Sequence, residues 1–222
     1  DMKDNSKLFF FKLRRKYLIP GSGVSKNIFK NAIQSNNESE NKYILFASRL
    51  LVNKGILDFI NAAKKAENSK VLKNLKWNII GEFCDSQRNN QLIKDRISEC
   101  KNINYLGYKE NPYPYIKRAS AVLLLSDYGE GIPRILLESG MLKVPIIVKE
   151  SKYLTNFLIN NYNCIITTNN TSKEILDSIN KILDVKYNKF LTENLFKEIN
   201  SSYTLDKIVD LYSNIYLSIF DT

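Results

Sequence analysis

Histidine is absent from the 222 residues, so no imidazole of this chain can shuttle a proton or bind a metal. Cysteine is scarce: Cys84, Cys100 and Cys164 are scattered, with no Cys-x-x-Cys pair. That spacing argues against a disulfide framework or a zinc site and fits a reducing, cytoplasmic setting. Long apolar runs are missing too. Stretches such as 121–126 fall far short of the ~20 residues a membrane span needs. The opening Asp1-Met2-Lys3-Asp4 is polar and acidic, unlike a signal peptide. No internal repeat or low-complexity tail occurs. Acidic residues are the minority, 23 against 33 Lys and Arg, for a net charge of +10. Such an excess invites a nucleic-acid partner, but Lys greatly outnumbers Arg, Asn is abundant, and the lysines are spread along the chain. This is the mark of a coding bias toward Lys, Asn and Ile, and no nucleic acid is expected. A basic surface gains about 1 kcal/mol per cation near anionic headgroups, so peripheral association with a membrane is the favoured alternative. What is present is an ordinary globular composition, 44% hydrophobic and 25% charged. The length suits one domain plus an appendage, with a core that needs no staples.

Beyond a polar gap at 34–41, short apolar runs alternate with segments of helical period. Residues 43–47, 77–80, 103–106, 121–125, 145–148 and 164–167 read as strands. Ile56, Phe59, Ile60 and Ala63 follow the i, i+3, i+4, i+7 spacing of an amphipathic helix. A polar helix is expected over 87–100, a short one over 114–118, and another from Pro133, which suits a first helical turn. Thr171-Ser172-Lys173-Glu174 has capping-box spacing and opens a helix with Ile175, Ile179, Ile182 and Leu183 on one face. A final helix carries Leu205, Ile208, Val209, Tyr212, Ile215 and Tyr216 on one stripe. Wholly apolar strands alternating with helices imply an α/β fold, a Rossmann-like doubly wound parallel sheet with extra C-terminal helices. In such sheets ligands bind beyond the carboxyl ends of the strands, where the strand order reverses.

Two of those strand ends carry candidate chemistry. Ser48 through Gly55 places Arg49 and Lys54 on one strand-to-helix loop. An Arg fork and a Lys point charge both suit phosphate oxygens, and Lys54 stands at a helix N-terminus, which itself favours anions. Two solvated surface charges explain the loop equally well. After the fourth strand, Gly129 and Gly131 flank Glu130, so the backbone there can approach a ligand closely. Glu138 interrupts an apolar helical segment and is either surface-facing or kept for a partner such as a ribose diol.

Glu130 and Glu138, with seven residues between them, resemble the Glu-x7-Glu motif of the retaining glycosyltransferases of family 4. The other pieces occur in the same order. Residues 19–24 are similar to the segment entering that family's C-terminal domain, and 48–55 to its Gly-Arg-Leu…Lys-Gly stretch. Residues 79–81 and 105–107 are similar to its next two strand ends, and 140–145 to its Ala-x-Gly-x-Pro. All eight glycines fall in or beside these pieces. Gly131-Ile132-Pro133-Arg134 looks like the branch that builds capsule, O-antigen or lipid-linked oligosaccharides. Ser48, where Gly is usual, and Ser25, where Asp is usual, depart from the pattern.

The resemblance implies the C-terminal, donor-binding half of a GT-B fold. Residues 1–33 would be the end of the first domain and the crossover, 34–200 the nucleotide-sugar-binding domain, and 201–222 a helix packing back toward the first domain. Arg49 and Lys54 would hold the donor diphosphate and stabilise charge as the sugar–phosphate bond breaks, the work a metal does elsewhere. No Asp-x-Asp motif occurs, in keeping with a metal-free, cofactor-free reaction. Glu130 would hold a donor-sugar hydroxyl and Glu138 the ribose. The N–H groups of Gly131, Ile132 and Arg134 would meet sugar and phosphates, and Gly107 and Tyr108 would lie at the base. Tyr108 reads as readily as a plain turn aromatic. Family members run to about twice this length, their first domain binding the acceptor, a glycan or polyprenyl-linked sugar, and supplying a histidine. The chain is therefore expected to be a fragment or one subunit of a split enzyme. A non-catalytic nucleotide-sugar-binding module is the main alternative and a UDP-sugar 2-epimerase a lesser one. A dehydrogenase lacks its Gly-x-Gly-x-x-Gly here.

Overall fold

The computed structural model describes residues 21–28, 32, 43–126, 131–155 and 157–220. Six strands form one sheet: β1 (Tyr43–Ala47), β2 (Lys76–Ile80), β3 (Ile103–Tyr105), β4 (Ala119–Leu124), β5 (Ile146–Lys149) and β6 (Ile165–Thr167). Every pairing is parallel and the order is β3-β2-β1-β4-β5-β6. The chain therefore winds outward from β1 in one direction, returns to β4, and winds outward in the other. The crevice above β1 and β4 is the switch point.

Side-chain alternation builds a separate core on each face. Ile44 and Phe46 of β1, with Ala121 and Leu123 of β4, face helices α1 (Ile56–Ala66) and α5 (Ser172–Ile182). Leu45, Val122 and Leu124 face α3 (Tyr113–Arg118), α4 (Arg134–Met141) and α6 (Val185–Ser202). The expected stripe Ile56, Phe59, Ile60 and Ala63 is fully buried, with Phe59 edge-on to Trp77 at 5.1 Å. Helix α2 (Gln87–Ser98) is capped by Ser86, whose hydroxyl accepts from the Asn89 N–H, and buries only Ile93. Strand and helix ends lie within one or two residues of their expected positions, the ordinary fraying of element boundaries.

Several expectations change. Helix α6 has no counterpart in the reading of the sequence. Asp184 caps it, its carboxylate accepting from the Tyr187 N–H at 2.7 Å, and it packs Leu195 and Ile199 against α4. Leu183 lies off the buried face of α5, 43% exposed, because the helix ends at Ile182 and the chain turns into α6. Thr171 caps α5 as expected, its hydroxyl accepting from the Glu174 N–H, but the Glu174 carboxylate accepts from Thr168 and Asn169 rather than closing the box on Thr171. Pro133 is extended and caps α4 from outside instead of occupying its first turn. Helix α7 (Leu205–Phe220) leaves Leu205, Val209, Tyr212 and Tyr216 exposed and buries Ile208. Among the described residues no helix is long and apolar enough to cross a membrane.

Candidate functional site

The tips of β1, β2 and β3 are stitched side by side. Ser48 N–H donates to Ile80 O at 3.2 Å and Gly81 N–H to Gly107 O at 3.1 Å. Gly81 has φ +142°, and a Cβ there would overlap the Ser48 carbonyl, so glycine is required for this approach. Leu50 N–H then donates to Glu82 O at 2.7 Å, bringing the loop after β2 beneath the loop after β1. On the other side of the switch point, Gly55 has φ +78°, and a Cβ on it would overlap the Leu125 carbonyl at the end of β4. Asn170, from beyond β6, donates to that carbonyl at 3.0 Å.

A cavity of about 330 Å³ opens above these strand ends, lined by Arg49, Gly81, Glu82, Tyr108, Arg134 and Glu138 among others. Its volume lies at the lower end of the range for small-molecule pockets. The structure brings Arg49, Tyr108, Arg134 and Glu138 together on one cavity. Arg49 and Tyr108 are exposed, so the guanidinium is in reach of a ligand entering from solvent. Glu138, 7% exposed, is buried on α4 rather than surface-facing, and pairs with Arg134 at 3.3 Å one turn earlier. Burial pushes its carboxyl above the ordinary range, and Arg134 offsets only part of that rise. A carboxylate held this way accepts strongly from a hydroxyl pair, because the apolar surroundings offer it little competing water.

Lys54 is not a solvated surface charge: it is 4% exposed and ends the short 3-10 turn Val52–Lys54, with Gly55 between it and α1. It does not line the cavity but lies at the seam between the loops after β1 and β4, where the Ser126 hydroxyl reaches Asn53 O at 3.4 Å. Gly107 (φ +71°) forms the turn that presents Tyr108. Gly131 is exposed with open space around it, and Ile132 packs half-buried on the α4 side of the sheet. Glu130 lies outside the described residues. Glu82, Lys109 and Pro112 also line the cavity, although the sequence reading did not single them out. Their signal was available, since each follows the carboxyl end of a strand.

A doubly wound parallel sheet with Arg49, Arg134 and the buried Glu138 at its switch point belongs to the α/β class that binds ligands beyond the carboxyl ends of its strands. The family model of glycosyl transferases group 1 matches residues 27–195, and the chain belongs to that family. It is 23% identical over 207 residues to the UDP-Gal:alpha-D-GlcNAc-diphosphoundecaprenol alpha-1,3-galactosyltransferase of Escherichia coli, a match covering 88% of this chain and 52% of the relative. The fold is shared with a glycosyltransferase from Rickettsia africae, at TM-score 0.79 and 17% identity, over 91% of this chain and 57% of that one. It is shared also with Anabaena Alr3699/HepE in complex with UDP and glucose, at TM-score 0.73 and 16% identity, over 90% and 56%. The chain thus spans about half the length of the curated relative it matches. These are GT-B proteins, and the sheet described above is one half of such a fold.

Proposed function

We propose that this chain is the donor half of a retaining glycosyltransferase of family 4, binding a UDP-sugar and passing the sugar to a glycan or lipid-linked acceptor held by a preceding domain. The convergence of Arg49 and Glu138 on one cavity at the switch point carries the reading. A nucleoside diphosphate has the matching chemistry, with oxygens for the guanidinium and a ribose diol for the carboxylate. Arg49 neutralises the diphosphate as it leaves, and Lys54, buried away from the cavity lining, contributes only the field of its charge, so the transfer needs no metal or cofactor. Glu130 holds the donor sugar, with the backbone of Gly131, Ile132 and Arg134 along sugar and phosphates, and Gly107 and Tyr108 at the base. Residues 1–33 and 201–222 belong to the crossing toward the acceptor domain, and the enzyme works in the cytoplasm, peripheral to the membrane. The exposed apolar stripe on α7 supports that assignment.

The purified chain should bind UDP weakly, with the same affinity in magnesium and in chelator, as read by calorimetry. A strict magnesium requirement would count against the family-4 assignment. A nucleotide-sugar-binding module without catalysis is the second reading. Sugar transfer by the chain once fused to an acceptor domain separates the two.

A further inference from the structure

Leu50, fully buried, anchors the cation loop between β1 and α1 in the core with Val52 packed beside it, and the loop's backbone is tied further to the next strand's loop. Leu50 N–H is fixed by Glu82 O. Two residues on, Val52 N–H donates to Asp85 Oδ2 at 3.0 Å. The other oxygen of that carboxylate, Oδ1, accepts from Ser86 N–H at 2.7 Å and from the Asn89 side-chain amide at 2.8 Å. Asn90 brackets the same residue through the backbone, accepting from Asp85 N–H at 3.2 Å and donating to its carbonyl at 2.9 Å. Asp85 is therefore locked to the first turn of α2 from several directions, and it passes that rigidity to the loop through one bond. Val52 lies three residues beyond Arg49 on the same loop, so the bond restrains the segment that presents the guanidinium to the cavity.

We propose that Asp85 is a positioning residue for Arg49, fixing the 49–54 loop so that the guanidinium meets a nucleoside diphosphate preorganised. Its bonds, that to Val52 first, hold its carboxyl below the ordinary value, so it stays an acceptor at neutral pH. It does not line the cavity itself. Removing it leaves Arg49 present but lets its segment of the loop sample other positions, and the lost order appears as lost affinity. The inference rests on the donor-site reading above.

Calorimetry with UDP on the 222-residue chain tests it, with amide hydrogen exchange on the same samples. Asp85→Ala should weaken UDP binding about tenfold, of the order of one lost charge-assisted hydrogen bond, and speed exchange at Val52. Asp85→Asn, which keeps one acceptor oxygen for Val52, should restore most of the affinity. In an Arg49→Ala background, Asp85→Ala should change affinity less than about twofold, because residues acting through one another are non-additive. Should Asp85→Ala fail to fold, Asp85→Asn carries the same comparison, with a smaller loss that vanishes when Arg49 is gone. Equal affinity of wild type and Asp85→Ala, or the same loss in both backgrounds, overturns the proposal. If the wild-type chain binds no UDP, the donor-site reading falls first and the inference with it.

Discussion

Glu138 is a carboxylate buried at the edge of the cavity, where its charge costs stability. Burial raises its carboxyl above the ordinary value of 4.5. A group raised in the folded state contributes stability below its unfolded pKa, and that contribution is lost as pH climbs through the folded value. Glu138→Gln removes the buried charge and keeps the shape. Its melting temperature should therefore exceed that of wild type at neutral pH, and the gap should shrink toward pH 4.5, at about 2–4 °C per kcal/mol for a chain of this size. UDP affinity should fall in the same variant; unchanged melting at both pH values would show that the burial costs nothing. This residue was legible as unusual from its place in an apolar run. Lys54 was not. Its burial depends on how closely Gly55 approaches Leu125, a contact between segments seventy residues apart that no local pattern encodes. Asp85 was invisible for the same reason, its one consequential bond spanning 33 positions.

Among the elements, the sheet and its helices were readable because buried strands and amphipathic helices declare themselves by period. Helix α6 did not. It buries only Leu191, Thr192, Leu195 and Ile199 in eighteen residues, too sparse a stripe to stand out from its Lys, Asn and Glu neighbours. Its cue lay in its partner. Gly140 of α4 leaves a notch, where a Cβ would come within 2.7 Å of Leu195 Cγ and would overlap Ile199 Cδ1. The two helices therefore pack close, and α4 is held with Glu138 facing the cavity. Gly140→Val should overfill that notch and cost about 1–3 kcal/mol in denaturant unfolding. Ile199→Ala in the same chain should return part of the loss, since it vacates the space the new side chain needs. Failure of that rescue would place the strain elsewhere in α4.

At the scale of the molecule, the exposed stripe of α7 has no cover among the described residues. Tyr212 and Tyr216 stack on each other, ring centres 6.5 Å apart, and both are exposed. Replacing the two by Ser should leave thermal melting of the isolated chain within about 4 °C, since exposed substitutions seldom exceed about 0.5 kcal/mol each. The same change should impair sugar transfer by the chain once fused to an acceptor domain, and a large loss of melting temperature in the isolated chain would assign the tyrosines to its own core instead. The start of α7 also meets the segment that enters the domain. Val24 N–H donates to Tyr203 O at 3.0 Å and Leu205 N–H to Val24 O at 2.9 Å, while Gly23, at φ +72°, leaves room for Ile208. Entry and exit are thus adjacent, like the two cut ends of a cassette. A recombination event could lift out everything between them and splice it into a surface loop of an unrelated host, with no rerouting of either chain. For a protein engineer the same adjacency marks residues 24 and 204 as the two junctions at which one donor specificity could be exchanged for another as a block.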